Sequence, residues 1–385
     1  MTKGKKIHVL QVVSSPRMGG TERQLLALLQ RYDRKRFSVD VACGRDTTGP
    51  LRNEFLTTGA KLYLCQWSIY ILPFVKRLLS IIQRRKYDVV HARLSEVSGA
   101  AMLAARLANV PVRVASYHHT QTEWRRPGFI NRRAVALLKW LNLRYATRIL
   151  GVSEACLDTY YPDWKERQPQ FQVIYNGVAI ESFSEVISAG DVRREFDIPA
   201  DALVVGHVGS FREPKNHHTI VKIAACLCRE IPNLYFLLVG EGHLRDLVEH
   251  EVDQCNLRPR FIFAGNRPDV VRLLRAMDVF VLPSLHEGFP GVAIEAQLGQ
   301  VPIVASNVPS MQEALAPVLR RFSRDPLDFR GLAEQIRFLL QHPSLRHQLS
   351  QEARDYVSNT FSITKTVEQL QSIYSMASTD MKSEV

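Results

Sequence analysis

The sequence lacks several features that mark common classes of protein. No run reaches the ~18–20 uncharged apolar residues of a membrane-spanning helix, and Lys76 and Arg77 interrupt the most apolar stretch, Ile69–Ile82. The six cysteines form no CxxC pair and lie near no histidine cluster, which disfavours structural zinc. A phosphate loop of the form GxxxxGKS or GxxxxGKT is missing, which excludes the ATPase class that uses one.

The N-terminus and the cysteines together indicate a compartment. An apolar run, Ile7–Val13, follows the basic start of the chain, but no small-residue cleavage site follows that run. Scattered thiols in a chain without a signal peptide fit a reducing environment. We therefore expect a soluble, cytoplasmic protein.

Composition and charge bound the size and the partners of the protein. Hydrophobic residues make up 46% and charged residues 23% of 385, which are ordinary globular values. At roughly 100–200 residues per domain, this length predicts about two domains. Lysine and arginine (50) exceed aspartate and glutamate (38) by 12. This surplus indicates an anionic partner: a phosphorylated small molecule, a membrane face or nucleic acid, the last disfavoured because no recognised nucleic-acid motif is present.

Short β-branched runs alternate with helical patterns along almost the whole chain, which predicts parallel sheets covered by helices on both faces. The predicted strands are Ile7–Val13, Ser38–Cys43, Lys61–Leu64, Val89–His91, Val112–Tyr117, Ile149–Val152, Gln172–Ile174, Leu203–Val208, Tyr235–Val239, Phe261–Phe263, Val279–Leu282 and Pro302–Ala305. The predicted helices are Glu22–Leu29, Phe74–Arg84, Glu96–Leu107, Ala134–Tyr145, Lys215–Arg229, Leu244–Cys255, Val270–Ala276, Val292–Leu298 and Ile363–Met376.

The segment Glu181–Asp201 is polar with weak periodicity and predicts a domain boundary near residue 180. We expect two doubly wound α/β lobes, residues 1–180 and 181–360, with a C-terminal helix at 361–378 packing back on the first. Lobes facing each other would gather the carboxyl ends of their strands around one cleft, where open α/β sheets bind ligands.

The strongest local pattern is the run Ser284–Ala296, which follows the predicted strand Val279–Leu282. Its Gly and Pro residues lead into a helix, whose N–H groups and dipole offer a phosphate site. Glu287 lies in the loop, positioned for sugar hydroxyls, and Glu295 lies about one turn inside the helix, positioned for a ribose. Alternatively, Glu287 only complements the helix dipole and Glu295 is a solvated helix residue.

A second cluster, Gly206–His218, lies where the first strand of the second lobe passes into its helix. Arg212 and Lys215 leave the carboxyl end of that strand, the expected place for cations that clamp a diphosphate. The alternative is a turn with surface cations. His217 and His218 have no carboxylate or cysteine companions, so we expect no metal.

Two features of the first lobe lie after predicted strands. Gly19 and Gly20 would let the backbone approach a ligand closely, and Thr21 is the expected N-cap of the next helix. His118 follows the strand Val112–Tyr117 and is a candidate for contact with a substrate hydroxyl or for proton transfer. A structural role is the alternative for His118.

Further glycines and polar residues follow strands of the second lobe. Asn266 and Arg267, after Phe261–Phe263, are additional candidates for substrate binding. The run Gly240–Gly242 does not complete GxGxxG, and neither do Gly19 and Gly20, which disfavours nicotinamide or flavin. A tight turn is the alternative for Gly240–Gly242. We expect no cofactor.

Taken in order, these pieces resemble the retaining nucleotide-sugar glycosyltransferases of family 4, which have the GT-B fold. The family's two glutamates with seven residues between them match Glu287 and Glu295. The other matching segments cover nearly the whole chain: Gly19–Glu22, Tyr87–His91, Pro111–His118, Gly151–Ser153, Tyr175–Val178, Val208–Lys215, Leu238–Gly242, Gly299–Ala305 and Glu313.

The resemblance implies a role for each matching residue. Glu287 would bind the hydroxyls of the donor sugar, Glu295 would hold the ribose, and Lys215 with a nearby arginine would neutralise the departing diphosphate. Gly20 would lie near the β-phosphate, and His118 near the sugar on the acceptor side. The backbone amides implied to hold the phosphates and the sugar are those around Phe289, Gly291 and Val292.

Two positions depart from the family pattern. An arginine often follows the glycine that matches Gly209, but Ser210 stands here, so Arg212 is expected to reach the diphosphate in its place. The family's frequent NGVD sequence ends in Ala179 here, which leaves no carboxylate at that position.

The resemblance also implies a reaction. A metal-independent enzyme would transfer a sugar with retention, by front-face attack assisted by the leaving phosphate. The expected donor is a uridine diphosphate sugar, with guanosine and adenosine diphosphate sugars as alternatives. The expected acceptor is a saccharide or lipid-linked saccharide in surface polysaccharide assembly. The alternative functions are a GT-B-shaped epimerase or phosphorylase and a non-catalytic sugar-nucleotide binder.

The acceptor is expected to meet the first lobe, where basic and apolar residues are interleaved. The helical pattern Leu72–Arg85 and the stretch Arg125–Arg148 favour docking on an anionic cytoplasmic leaflet. A pair of ordinary solvated helices is the alternative. The cations of the stretch are Arg125, Arg126, Arg132, Arg133, Lys139, Arg144 and Arg148.

Overall fold

The computed structural model describes residues 6–16, 19–66, 71–120, 129–183 and 189–378. The chain forms two compact units: a first unit of Met1–Gly177 with Ile363–Val385, and a second unit of Val178–Ser362. The divisions therefore lie close to, but not at, the expected residues 180 and 360. No helix among the described residues is both long enough and apolar enough to cross a membrane.

The first unit alternates strands and helices around a parallel sheet. Its strands are β1 (Ile7–Val13), β2 (Phe37–Cys43), β3 (Leu62–Leu64), β4 (Val89–Ala92), β5 (Val112–Tyr117), β6 (Arg148–Gly151) and β7 (Phe171–Val173). Its helices before the second unit are α1 (Gly20–Leu29), α2 (Arg52–Thr57), α3 (Ile71–Arg85), α4 (Ser98–Leu107), α5 (Phe129–Tyr145) and α6 (Glu154–Tyr160). Among described residues the strand order is β3-β2-β1-β4-β5-β6-β7, so the winding direction reverses between β1 and β4.

The second unit repeats this architecture with a smaller sheet. Its strands are β8 (Leu203–Val208), β9 (Leu234–Val239), β10 (Phe261–Gly265), β11 (Val279–Leu282) and β12 (Ile303–Ala305), in the order β10-β9-β8-β11-β12 within the described residues. Its helices are α7 (Ala189–Glu195), α8 (His217–Glu230), α9 (Arg245–Gln254), α10 (Val270–Leu274), α11 (Gly291–Leu298), α12 (Pro309–Ala314), α13 (Phe329–Gln341) and α14 (Pro343–Thr360). Here the direction reverses between β8 and β11.

The strands were predicted more closely than the helices. Four predicted strands have the observed bounds, and the others differ by one or two residues at one or both ends. The unpredicted helices are α2, α6, α7, α12, α13 and α14. Helix α7 lies in Glu181–Asp201, which was predicted to be irregular. Tertiary contacts hold it there, because Arg193 pairs with Asp278 at 3.2 Å and donates to the Ala202 carbonyl at 2.8 Å.

The chain returns to the first unit as helix α15 (Ile363–Ser375), which packs on α1 and β1. Tyr374 of this helix is fully buried. Its hydroxyl accepts a hydrogen bond from Gln11 Nε2 at 2.9 Å and lies 2.6 Å from His91 Nδ1. One hydroxyl therefore satisfies buried polar groups of two strands and fixes the helix to the sheet.

We expect Tyr374→Phe to lower the free energy of unfolding by about 1–3 kcal/mol, because Gln11 and His91 would keep their burial and lose a partner. Urea unfolding measures the loss. Tyr145→Phe is the matched control, since the Tyr145 hydroxyl makes no hydrogen bond to any described residue of the first unit. Equal unfolding midpoints for the two variants would contradict the interpretation.

Candidate functional site

The turn between β8 and α8 is fastened to the loop that follows β11. Asn216 adopts the left-handed conformation (φ 55°), which asparagine tolerates better than most residues. Its side-chain amide donates to the Pro283 carbonyl at 3.1 Å, and the Leu285 N–H donates to the Pro214 carbonyl at 2.8 Å. Lys215 lies on this turn and is thereby held beside the β11 loop. The sequence prediction missed Asn216, although an asparagine directly before a helix was an available signal.

Lys215 and Glu287 are brought together by these two loops. Lys215 Nζ lies 2.5 Å from Glu287 Oε1, and the side chains are 20% and 10% exposed. The backbone of Glu287 is held in turn, because Ser310 Oγ donates to its carbonyl at 2.8 Å. An ion pair this sheltered is screened less than a surface pair. The carboxylate therefore keeps the lysine ammonium at the carboxyl edge of the sheet.

Gly209 and Arg212 lie on the same turn in different surroundings. A Cβ on Gly209 would come within 3.4 Å of Lys215 Cγ, so this glycine lets the lysine stem pack against the backbone. Gly240 (φ 140°) faces Gly209, and a Cβ there would overlap the Gly209 carbonyl. Arg212 is exposed and pairs with no carboxylate among the described residues. Its predicted contact with a diphosphate stays a prediction.

Helix α11 begins beside this loop without a side-chain cap. Pro290 occupies the N-cap position, and the Gly291 N–H donates to the Phe289 carbonyl at 3.0 Å. The Phe289 ring is buried, with its centroid 5.4 Å from that of Phe361. Glu295 lies one turn into α11 and is half-buried. Gly291, Val292 and Glu295 therefore lie on α11, and Phe289 lies in the loop just before it. The predicted ligand contacts of these residues stay predictions.

Two of the predicted ligand-binding glycines have open space where a side chain would be. Apart from its chain neighbours and its own helix, a Cβ on Gly291 or on Gly20 would meet no atom of the described residues within 4 Å. Neither position is required to be glycine by packing within its own unit. Alanine variants at these positions can therefore report on a bound ligand.

Arg267 is already engaged by carboxylates. It contacts Asp269 at 2.7 Å and Glu195 at 2.6 Å, and Arg272 shares both acids. These partners raise the pKa of Arg267, with the Asp269 hydrogen bond the largest cause. The network joins α7 to the β10 loop. Asn266 is exposed beside it, and substrate binding by either residue stays a prediction.

Two neutral histidines pack beneath the Lys215 turn. The ring centroids of His207 and His217 are 4.8 Å apart, and His217 stacks on Phe211 at 4.0 Å. Burial lowers the pKa of His207 to about 4 and that of His217 to about 2. The positive charge of nearby Lys215 also lowers the pKa of both histidines. The cluster is therefore uncharged at neutral pH.

In the first unit, the glycine pair forms the start of α1. The expectation that Thr21 caps this helix was wrong: Gly19 is the N-cap, in an extended conformation, and the helix starts at Gly20. The Glu22 carboxylate lies so close to Gly19 that a Cβ there would clash with it. A glycine at the cap lets an acid lie over the positive end of the helix.

His118 is buried directly after β5, with 7% of its surface exposed. Neither ring nitrogen has a hydrogen-bond partner among the residues that the structure describes. Burial lowers the pKa of His118 well below its ordinary value. The positive charge of Arg93, the residue after β4, lowers this pKa further. The sequence prediction missed Arg93, although it follows a strand just as His118 does.

Within the described residues the basic stretch forms α5 up to Tyr145, and its last cation, Arg148, begins β6. Arg125 and Arg126 lie outside the described residues. On α5, Leu137 and Trp140 are 48% and 53% exposed. At helical spacing they share one face with three other side chains, and we call this set the α5 face: Arg133, Ala136, Leu137, Trp140 and Arg144.

Comparisons with known proteins identify the family. A model described as Glycosyltransferase Family 4 matches residues 18–182, and one described as Glycosyl transferases group 1 matches residues 189–356. EpsF of Bacillus subtilis (strain 168), which is named as a glycosyltransferase, is 32% identical over 305 residues, 78% of this chain and 79% of EpsF. The chain belongs to glycosyltransferase family 4.

A second relative and a solved structure are similar to nearly the whole chain. An Escherichia coli protein named UDP-Gal:alpha-D-GlcNAc-diphosphoundecaprenol alpha-1,3-galactosyltransferase is 28% identical, covering 96% of this chain and 97% of its own. Anabaena Alr3699/HepE, solved in complex with UDP, superposes with a TM-score of 0.82 at 22% identity, covering 97% of this chain and 100% of that one. The chain therefore has the GT-B fold of these family 4 enzymes.

We expect the free energy of unfolding to fall as pH drops below about 6.5. In this range His207 and His217 bind protons in the unfolded chain but stay neutral in the folded chain. Replacement of His217 by Phe keeps a ring on Phe211 and removes one of these protons. The slope of unfolding free energy between pH 6.5 and 4.5 should become shallower by about 1.4 kcal/mol per pH unit. Urea unfolding at several pH values measures it.

The exposed His250 on α9 provides the control, and His250→Gln should leave the slope as in the parent protein. An unchanged slope in the His217→Phe variant would show that His217 accepts a proton equally well in both states, contrary to its burial.

Proposed function

We propose that this glycosyltransferase moves a sugar, with retention of configuration, from a uridine diphosphate sugar to a saccharide or lipid-linked saccharide acceptor in surface polysaccharide assembly. The observation that carries the proposal is the Lys215–Glu287 ion pair at the carboxyl edge of the second unit. The HepE complexes with UDP and UDP-glucose support the choice of nucleotide. The name of the Escherichia coli relative supports a diphosphate-linked lipid acceptor.

The chemistry needs positive charge at the leaving group. The bond from the anomeric carbon to the β-phosphate oxygen breaks, a bond to the acceptor oxygen forms on the same face, and the acceptor proton passes to the leaving phosphate. The diphosphate gains negative charge as it departs. Lys215, Arg212 and the first N–H groups of α11 would stabilise that charge without a metal ion, and one such donor is typically worth ~3–4 kcal/mol of barrier. Glu287 would orient Lys215 and bind a sugar hydroxyl.

We expect Lys215→Ala to reduce turnover by about a hundredfold or more, because a preorganised cation at the leaving group is lost. Transfer from a labelled UDP-sugar to the acceptor measures it. Lys222→Ala, an exposed lysine on α8, should keep the parent rate. A folded Lys215→Ala variant at the parent rate would remove Lys215 from this role.

Gly291→Ala tests the donor side independently of Lys215. Since its methyl meets no protein atom, the fold should tolerate it, while a phosphate bound at the α11 start would be obstructed. Stabilisation by UDP, GDP and ADP, followed as the shift in melting temperature, identifies the nucleotide. The transfer assay with the labelled donor separates the alternatives: a non-catalytic binder is stabilised by a nucleotide but transfers no sugar, and an epimerase or phosphorylase gives a different labelled product.

We further propose that the α5 face docks on an anionic membrane surface, where such an acceptor would be found. Exposed Trp140 and Leu137 suit the interface between headgroups and acyl chains, and Arg133 and Arg144 suit anionic lipids. The basic helix α3 adds an exposed Leu72 (69%). The net positive charge of the whole chain also favours binding to an anionic surface.

We expect the protein to sediment with phosphatidylcholine–phosphatidylglycerol vesicles at low salt, and less at high salt because the charge contribution is screened. The double variant Leu137→Ser, Trp140→Ser should bind several-fold more weakly. The control is Leu327→Ser, a still more exposed leucine of the second unit (70%). Absence of the parent protein from the vesicle pellet at both salt concentrations would end the proposal.

A further inference from the structure

Arg93 is a buried cation without a counter-ion. Only 7% of the residue is exposed, and its Nη2 has no hydrogen-bond partner within the described part of the chain. Its Nε donates to Gln11 Oε1 at 3.1 Å, which is a neutral acceptor. Among the described residues no carboxylate pairs with it. A buried charge left in this state costs several kcal/mol, so a structural role alone does not explain an arginine here.

The groups around Arg93 do not supply the missing negative charge. Tyr32 and Tyr374 lie within hydrogen-bonding reach of its guanidinium, and burial raises the pKa of both hydroxyls, which keeps them neutral. His91 is neutral as well, because burial lowers its pKa well below the ordinary value. Arg93 is therefore surrounded by uncharged dipoles.

Arg93 and His118 line one small cavity in the first unit. The cavity measures about 20 Å³, roughly the space of one water molecule. Ser116 and Asn176 also line it. His118 leaves both ring nitrogens unpaired. Two side chains, each more than nine-tenths buried, thus present unused polar atoms to a space that accommodates a single oxygen.

The position of the cavity in the sheet is that of a ligand site. Arg93 follows β4 and His118 follows β5, so both lie at the carboxyl edge. The winding direction reverses between β1 and β4, and open α/β sheets bind ligands at such a switch point. Gln11, on the neighbouring β1, orients the guanidinium through Nε and leaves Nη2 for the ligand.

We propose that Arg93 and His118 bind one anionic oxygen of a phosphate group carried by the acceptor. The inference rests on the proposed function, which supplies an acceptor with a diphosphate. A phosphate oxygen would neutralise Arg93, fill the cavity and accept a hydrogen bond from whichever nitrogen of His118 carries the proton. The rest of the phosphate group stays outside, because the cavity admits one oxygen only.

The test measures thermal stabilisation by inorganic pyrophosphate and by geranyl diphosphate, in a Lys215→Ala background that weakens the donor site. Arg93→Met should raise the ligand concentration for half-maximal stabilisation at least tenfold for both ligands, and His118→Ala should act in the same direction. Arg106→Met, an exposed arginine on α4, should leave it unchanged. Stabilisation by pyrophosphate alone would indicate a free-anion site and overturn the acceptor role.

The unliganded stability separates a binding role from a structural one. If Arg93 serves a ligand, Arg93→Met removes an unpaired buried charge, and the melting temperature should equal or exceed that of the parent protein. A lower melting temperature with unchanged pyrophosphate binding would overturn the proposal. Should Arg93→Met not fold, Arg93→Gln and His118→Ala repeat the binding measurement.

A UDP titration of the single variant Arg93→Met distinguishes this inference from the proposed function. The shift caused by UDP should match that of the parent protein, since Lys215 and Gly291 belong to the other unit. If UDP stabilises neither protein, the proposed donor fails while the Arg93-dependent effect of pyrophosphate stands. If UDP stabilises both proteins but Arg93→Met leaves pyrophosphate binding unchanged, only the proposed phosphate site of Arg93 and His118 fails.

Discussion

Parallel strand pairing is the constraint on which the rest of this molecule depends. Each strand of both sheets runs parallel to its neighbours, so each connection must cross over the sheet, and the loops that leave the strands gather at the carboxyl edges. Lys215 follows β8 and Glu287 follows β11, which are adjacent strands. That adjacency brings together two side chains 72 residues apart. Arg93 and His118 meet in the first unit for the same reason, since β4 and β5 are neighbours.

The cations at the carboxyl edges of the two sheets differ in their partners. In the second unit the lysine is held by a partly buried acid, so its ammonium has a fixed position before any ligand arrives. A diphosphate that binds there would share the ammonium of Lys215 with Glu287, and the lysine would not have to be repositioned first. In the first unit no carboxylate among the described residues pairs with Arg93, so its charge has no fixed partner there. At one edge the cation is held in place by an ion pair. At the other edge the cation is left without a paired carboxylate, so its charge is available to a ligand.

The sequence predicted what local patterns control. Alternation of β-branched and helical runs indicated both sheets, because the interior of a parallel sheet demands continuous apolar strands. Motif order pointed to Lys215 and Glu287 separately, but no pattern along the chain shows that their side chains touch. Thr21 was preferred as a cap on propensity, whereas the geometry of Gly19 and the Glu22 carboxylate decided the start of α1. Arg93 was missed because burial without a partner is a property of the packed chain and leaves no trace in spacing.

Helix α15 makes the second unit an insertion within the first. Synthesis proceeds from the N-terminus, so the ribosome completes the whole of the inserted unit before it makes Tyr374. Until then the buried imidazole of His91 and the amide of Gln11 have no hydroxyl to bond with, and the β1–β4 region of the sheet is left uncovered on that side. The inserted unit is therefore free to fold while its host is still incomplete, and α15, which is made after it, closes the interior of the part that was made first.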